Sequence, residues 1–224
     1  LARAWTQNVV KALAVVKLAW LTELGEGLIV LSGAQAGPVG QALVQGDAAR
    51  ARAAALQLAA LFPHRLYIEL QRAGRLDDEA HVVAAVQLAA SLKLPVVANG
   101  DILTLEDAKT ALERSGADGL MIGRGTYGRP WFVNQVMRYL RTGERLPDPP
   151  LAHQLATVLE HYDAMLSHYG VDNGCRIARK HIGWYSKGLP GSAEFRAAVN
   201  RCDDPAAVKA MIRAFYEPQL DKAA

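Results

Sequence analysis

Cysteine is nearly missing from this chain of 224 residues: Cys175 and Cys202 are the two present, and they form no C-x-x-C pair. That scarcity argues against a disulfide framework and points to a reducing, cytoplasmic setting. Long apolar runs are missing as well. The nearest approach, residues 12–21, is broken by Lys17 and too short to cross a bilayer, with no small-residue cleavage site after it. It reads as an ordinary buried helix rather than a signal sequence or membrane segment. Charge imbalance is slight: a formal net charge of +3 does not by itself imply a nucleic-acid partner. Disorder-type composition is absent too. With 51% hydrophobic and 21% charged residues, the chain has the material for one large or two modest packed domains.

What is present is a pair of glycine turns. The apolar run Val96–Ala98 stops at Asn99-Gly100-Asp101, and Leu120–Ile122 stops at Gly123-Arg124-Gly125. The turns are centred on 100 and 124, 24 positions apart, about one βα repeat of a parallel barrel. Glycine there lets backbone N–H groups approach an anion, helix N-termini beyond add positive partial charge, and Arg124 can pair with a phosphate in bidentate fashion. The last two βα loops of such barrels commonly hold a phosphate, so these residues predict a phosphate-binding barrel end. The alternative is that they are mere strand-end turns. Asp101 is expected to orient the loop or cap a turn rather than perform acid–base chemistry.

The remaining pattern predicts a helix over 4–24, a strand over 28–31, helices over 39–44 and 47–61, a strand over 66–70 and a helix over 77–92. Strands over 95–98 and 119–122 follow, with a helix capped by Thr104 between them and another from Pro130 to about Arg141. Pro147, Pro149 and Pro150 form a stiff connector, and every later segment (151–169, 174–187, 192–200, 205–216) reads as helix. Four strands in residues 1–146 are half of a closed eight-stranded barrel, which needs about 250 residues. The expected fold class is therefore α/β: a partial, half TIM-like βα barrel over 1–146, followed by an all-α helical bundle domain over 151–224. A half-barrel leaves strand edges open, so self-association is expected.

From about Leu94 to the end, the motifs Pro-Val-Val-Ala-Asn-Gly-Asp-Ile, Gly-Ala-Asp-Gly-Leu-Met-Ile-Gly-Arg-Gly, Arg-Pro-Trp and Arg-Ile-Ala-Arg-Lys-His-Ile-Gly-Trp-Tyr-Ser-Lys-Gly-Leu-Pro-Gly resemble the C-terminal part of a bacterial tRNA-dihydrouridine synthase. The resemblance implies a flavin-binding barrel with a helical tRNA-binding domain, flavin mononucleotide (FMN) as cofactor, and its phosphate near Asn99, Gly100, Asp101, Gly123, Arg124 and Gly125. From about Glu26 to Val97 the resemblance changes. Gly-Leu-Ile-Val-Leu-Ser-Gly, Leu-Phe-Pro-His-Arg-Leu-Tyr-Ile-Glu-Leu-Gln-Arg and Asp-Asp-Glu-Ala-His-Val are similar to the PHP domain of the bacterial DNA polymerase III alpha subunit. The two likenesses meet at the strand 94–98, which reads as the join of a chimera, natural or constructed. Residues 1–25 match neither family clearly.

Members of the synthase family pass a hydride from reduced flavin to uracil while a cysteine in an Asn-x-x-Cys-Pro-like loop supplies a proton. That loop is absent from these residues, and Asn173-Gly174-Cys175 lacks the proline, so no catalytic residue is assigned and an inactive chain is expected. On the helix at 174–187, Arg176, Arg179, Lys180, Gly183 and Lys187 fall within about a 100° arc with no acid among them. Such a stripe is either a solvated charged face or, with Gly183 admitting a sugar–phosphate backbone, an RNA contact; the family likeness favours tRNA. The acids Asp203, Asp204 and Glu217 are expected to face away. In the PHP-like part, Glu69 and His81 offer two metal groups, too few for a closed site, with His81 expected on the surface and His64 in a loop. No metal site is assigned. The competing readings are a PHP-type metal-dependent phosphoesterase or polymerase fragment, and a recombined fold without enzymatic activity.

Overall fold

The computed structural model describes residues 2–10, 13–72 and 74–223. The chain begins with helix α1 (Ala2–Gln7), an antiparallel ribbon of β1 (Val9–Val10) and β2 (Leu13–Ala14), and helix α2 (Leu18–Leu24). The single helix expected over 4–24 is not what forms, and residues 11–12 of that stretch lie outside the described residues. The β-branched Val9, Val10 and Val15 lose rotamer freedom in a helix and suit extended backbone. Asn8 closes the ribbon: its side-chain amide donates to the Val15 carbonyl at 2.7 Å, and its own carbonyl accepts the Val15 N–H at 3.0 Å.

The α/β succession follows as β3 (Val30–Leu31), a 3-10 turn (Ala34–Ala36), α3 (Pro38–Val44), α4 (Ala48–Leu61), β4 (Leu66–Gln71), α5 (Asp78–Leu92), β5 (Val96–Asn99), α6 (Leu105–Ser115) and β6 (Gly119–Met121). Asp47 caps α4, its carboxylate accepting the Arg50 N–H at 2.9 Å. All four expected strands form, in one parallel sheet ordered β3-β4-β5-β6. Register sets Val30 beside Leu66, Ile68 beside Val96, and Asn99 beside Met121. Leu66, Ile68 and Leu70 alternate inward along β4, and small alanines on α4 and α5 (Ala51, Ala55, Ala85) let these helices lie close.

Beyond β6 come a second 3-10 turn (Arg124–Thr126) and α7 (Phe132–Thr142), which ends on Gly143 at φ +76°. Residues 143–150 have no regular structure, as their prolines dictate. Then follow α8 (Leu151–Tyr169), α9 (Val171–Tyr185), α10 (Ser192–Asn200) and α11 (Pro205–Ala223), with no strand among the described residues of this part. Tyr162, Ile182, Val199, Ile212 and Tyr216 form the centre of their core.

The chain divides into two compact units: residues 1–100 with 109–121, and residues 101–108 with 122–224. No described helix is long and apolar enough to cross a membrane.

Candidate functional site

In the first unit, β5 and β6 run parallel with Asn99 beside Met121, so the two strands finish at the same end of the sheet. The Asn99 amide is committed there, donating to Glu69 Oε1 at 3.0 Å and contacting Met121 Sδ at 3.3 Å. A Cβ on Gly100 would find only the Arg72 carbonyl, at an ordinary 3.6 Å.

In the second unit the two loops are bound to each other. Asp101, at φ +35°, pairs its carboxylate with the Arg124 guanidinium. Arg129 donates from Nε to the Gly125 carbonyl at 2.9 Å and from Nη2 to the Leu103 carbonyl, with its guanidinium carbon 4.3 Å from the centre of the Phe132 ring. A Cβ on Gly125 would lie 2.3 Å from the Ile102 carbonyl oxygen. The loops therefore meet at backbone contact, which glycine alone permits, and Asp101 orients Arg124 as a loop-ordering residue.

The amides of the two loops differ. Thr104 and Asp107 make a reciprocal cap: the Asp107 N–H donates to Thr104 Oγ1 at 3.0 Å, and Asp107 Oδ2 accepts the Thr104 and Leu103 N–H groups at 2.8 and 3.0 Å. The Thr104 hydroxyl, then the Leu103 amide, hold the Asp107 carboxyl below the usual carboxylate range. That leaves the N–H groups of Gly123, Arg124 and Gly125 with no acceptor among the described residues. Three adjacent amide donors, one cationic side chain and an open Gly123, with nothing within 4 Å of a Cβ, have the chemistry of an anion seat.

The basic stripe lies on α9. Arg176, Arg179 and Lys180 line a concave groove of about 420 Å³, together with Lys187 in the turn beyond the helix end and with Arg196 and Asn200 of α10. Two expectations need correction. Asp203 does not face away; it takes the Arg179 guanidinium at 2.6 Å, since the bend after α10 returns the chain to α9. Gly183 is not bare, because the Arg196 stem lies 3.4 Å from where its Cβ would be. Arg196 and Asn200 were missed because helical periodicity assigns a face but not the neighbour it meets.

His81 is also corrected: it is 2% exposed, with Nδ1 lacking a hydrogen-bond partner among the described residues. Burial lowers its pKa, opposed by Asp78 and aided by Arg75. His64 sits in an exposed turn at φ +58°. No group of three His, Cys, Asp or Glu side chains able to hold a metal occurs among the described residues.

The family model for dihydrouridine synthase (Dus) matches residues 71–220 of the 224, and the chain belongs to that family. The PHP domain model matches residues 2–73. The two matches meet at 71–73, at the end of β4, one helix ahead of the join expected at 94–98, and the PHP match takes in residues 2–25 that the motifs left unassigned. A probable tRNA-dihydrouridine synthase of Rickettsia conorii is 59% identical over 131 residues, 58% of this chain and 40% of the relative. The tRNA-dihydrouridine synthase B proteins of Xanthomonas axonopodis pv. citri and Pseudomonas aeruginosa are each 46% identical, over 149 residues (64% of this chain, 45% of the relative) and 140 residues (62% and 42%) respectively. The chain thus spans less than half the length of these relatives.

Proposed function

We propose that this chain carries the cofactor-phosphate and tRNA-holding parts of a flavin-dependent tRNA-dihydrouridine synthase. Gly123, Arg124 and Gly125 hold the phosphate of FMN, with Asn99, Gly100 and Asp101 shaping the loop that precedes them in the fold. The observation that carries this reading is the run of unaccepted amides at 123–125, fixed by the Gly125–Ile102 backbone contact and flanked by Arg124. Those donors fit a phosphate monoester. When bound in its reduced form, FMN would supply the hydride for reducing a uracil ring. Residues 94–146 are the phosphate end of this arrangement, and residues 151–224 hold tRNA through Arg176, Arg179, Lys180 and Lys187 against its phosphates. Arg179 acts with its charge partly met by Asp203.

The proton-donating cysteine loop implied by the family is absent from these 224 residues. Cys175 does not replace it: the thiol is buried against the Tyr162 hydroxyl at 3.3 Å. This chain alone is therefore expected to bind without reducing. Unmodified tRNA titrated against the chain tests the reading. Binding that weakens steeply with salt supports it, and an unbound tRNA at low salt overturns it. A PHP-type metal-dependent phosphoesterase is the second reading, favoured by the match over residues 2–73. Stoichiometric zinc or manganese in the purified chain would support it.

A further inference from the structure

We infer that Tyr127, backed by Trp184, is a stacking platform for one unpaired RNA nucleotide. This rests on the tRNA reading above and gives it a second element. The two rings are stacked, with centroids 3.8 Å apart and planes at 10°. Lys180 Nζ lies 5.3 Å from the centre of the Trp184 ring. Trp184 is thus engaged by both a ring and a cation, whereas Trp184 is the one ring partner of Tyr127 among the described residues, and Tyr127 is 48% exposed.

The platform is held by a close backbone contact. Gly128, at φ +72°, lets the turn press on the end of α9, since a Cβ there would sit 2.3 Å from the Trp184 carbonyl oxygen. It borders a cleft of about 610 Å³, in the size range of clefts that take nucleotide-sized ligands. The cleft shares Trp184 and Lys187 with the basic groove on α9, and Arg124 and Arg129 are also in its lining. Its one carboxylate, Asp148, accepts from Trp131 Nε1 at 2.8 Å and Gln135 Nε2 at 3.0 Å, so it is occupied by the protein. A flat aromatic face at the meeting of two cation-lined hollows is the chemistry that receives a splayed base while neighbouring phosphates follow the cations. Arg124 and Arg179 already face Asp101 and Asp203, but an apolar peptide would leave Arg176, Lys180 and Lys187 without counter-charge among the described residues.

The test uses a fluorescent 12-nucleotide oligouridylate and an unmodified tRNA transcript, titrated at several salt concentrations. Tyr127→Leu should weaken oligouridylate binding about ten-fold, the loss expected for one stacked base, with the salt dependence unchanged. Tyr127→Phe should bind as the parent does, whereas Lys187→Gln should reduce the salt slope by about one. The inference is overturned if Tyr127→Leu matches the parent, if Tyr127→Phe fails as badly as the leucine variant, or if free AMP displaces the oligouridylate at equal concentration. Should the parent bind tRNA while Tyr127→Leu is unchanged, the platform alone falls. Should the parent bind no RNA, the tRNA reading falls with it.

Discussion

Gly123 and Gly125 stand two residues apart in one turn and answer to different demands. A methyl group on Gly125 would collide with the Ile102 carbonyl and crowd Ile122 and Phe132 at 3.1 Å, while one on Gly123 would meet nothing within 4 Å. Gly125→Ala should therefore lower stability by about 1–3 kcal/mol, the usual range for overpacking, and Gly123→Ala by far less. Urea unfolding of the two variants side by side reads the difference. His81 and His181 make a pH argument at the same scale. Burial lowers both, with His161 and Lys180 adding to the shift at His181. The folded chain thus keeps these rings neutral while the unfolded chain takes up protons near the ordinary value of 6.5. Stability is full above that value and declines as pH falls below it, until the folded rings titrate. The urea midpoint should be lower at pH 5.5 than at pH 7.5, and His81→Leu should flatten part of that slope.

Among the elements, the cap on α6 joins sequence to site most directly. Thr104→Ala removes the acceptor for the Asp107 N–H and should cost about 1 kcal/mol, measured by thermal unfolding. This cap was legible from Thr-x-x-Asp alone, as were the starts of α4 and α8, where Asp47 and Pro150 mark boundaries through local chemistry. The apolar runs of β4, β5 and β6 were legible from their own composition, with Gly100 and Gly123 closing the stretches of β5 and β6 within two residues. The N-terminal segment was not. Its apolar spacing fits a helix, and the Asn8–Val15 pairing that closes a ribbon instead has no periodic signature. The glycine turn at 123–125 was legible in the sequence, while its ordering by Asp101 and Arg129 depends on loops far apart in sequence. The same holds for the Arg179–Asp203 pair and for the Arg196 stem over Gly183.

For the whole molecule, the open edges of the sheet bear on self-association. It holds four parallel strands with β3 and β6 at its edges, and Ile29 beside β3 is 69% exposed. Edges of this kind pair with other chains, so the protein is expected to associate as concentration rises, and a monodisperse monomer by light scattering would count against that. The family match from β4 onward and the PHP match before it divide the chain along its length, and the family-derived chemistry rests on the later part. The most direct measurement compares FMN with riboflavin, which lacks the phosphate, by flavin fluorescence on titration with the purified chain. FMN should bind, riboflavin should bind far more weakly, and Arg124→Gln should erase most of the difference. Equal binding of the two flavins, or no binding of FMN, would contradict a phosphate seat at Gly123–Gly125.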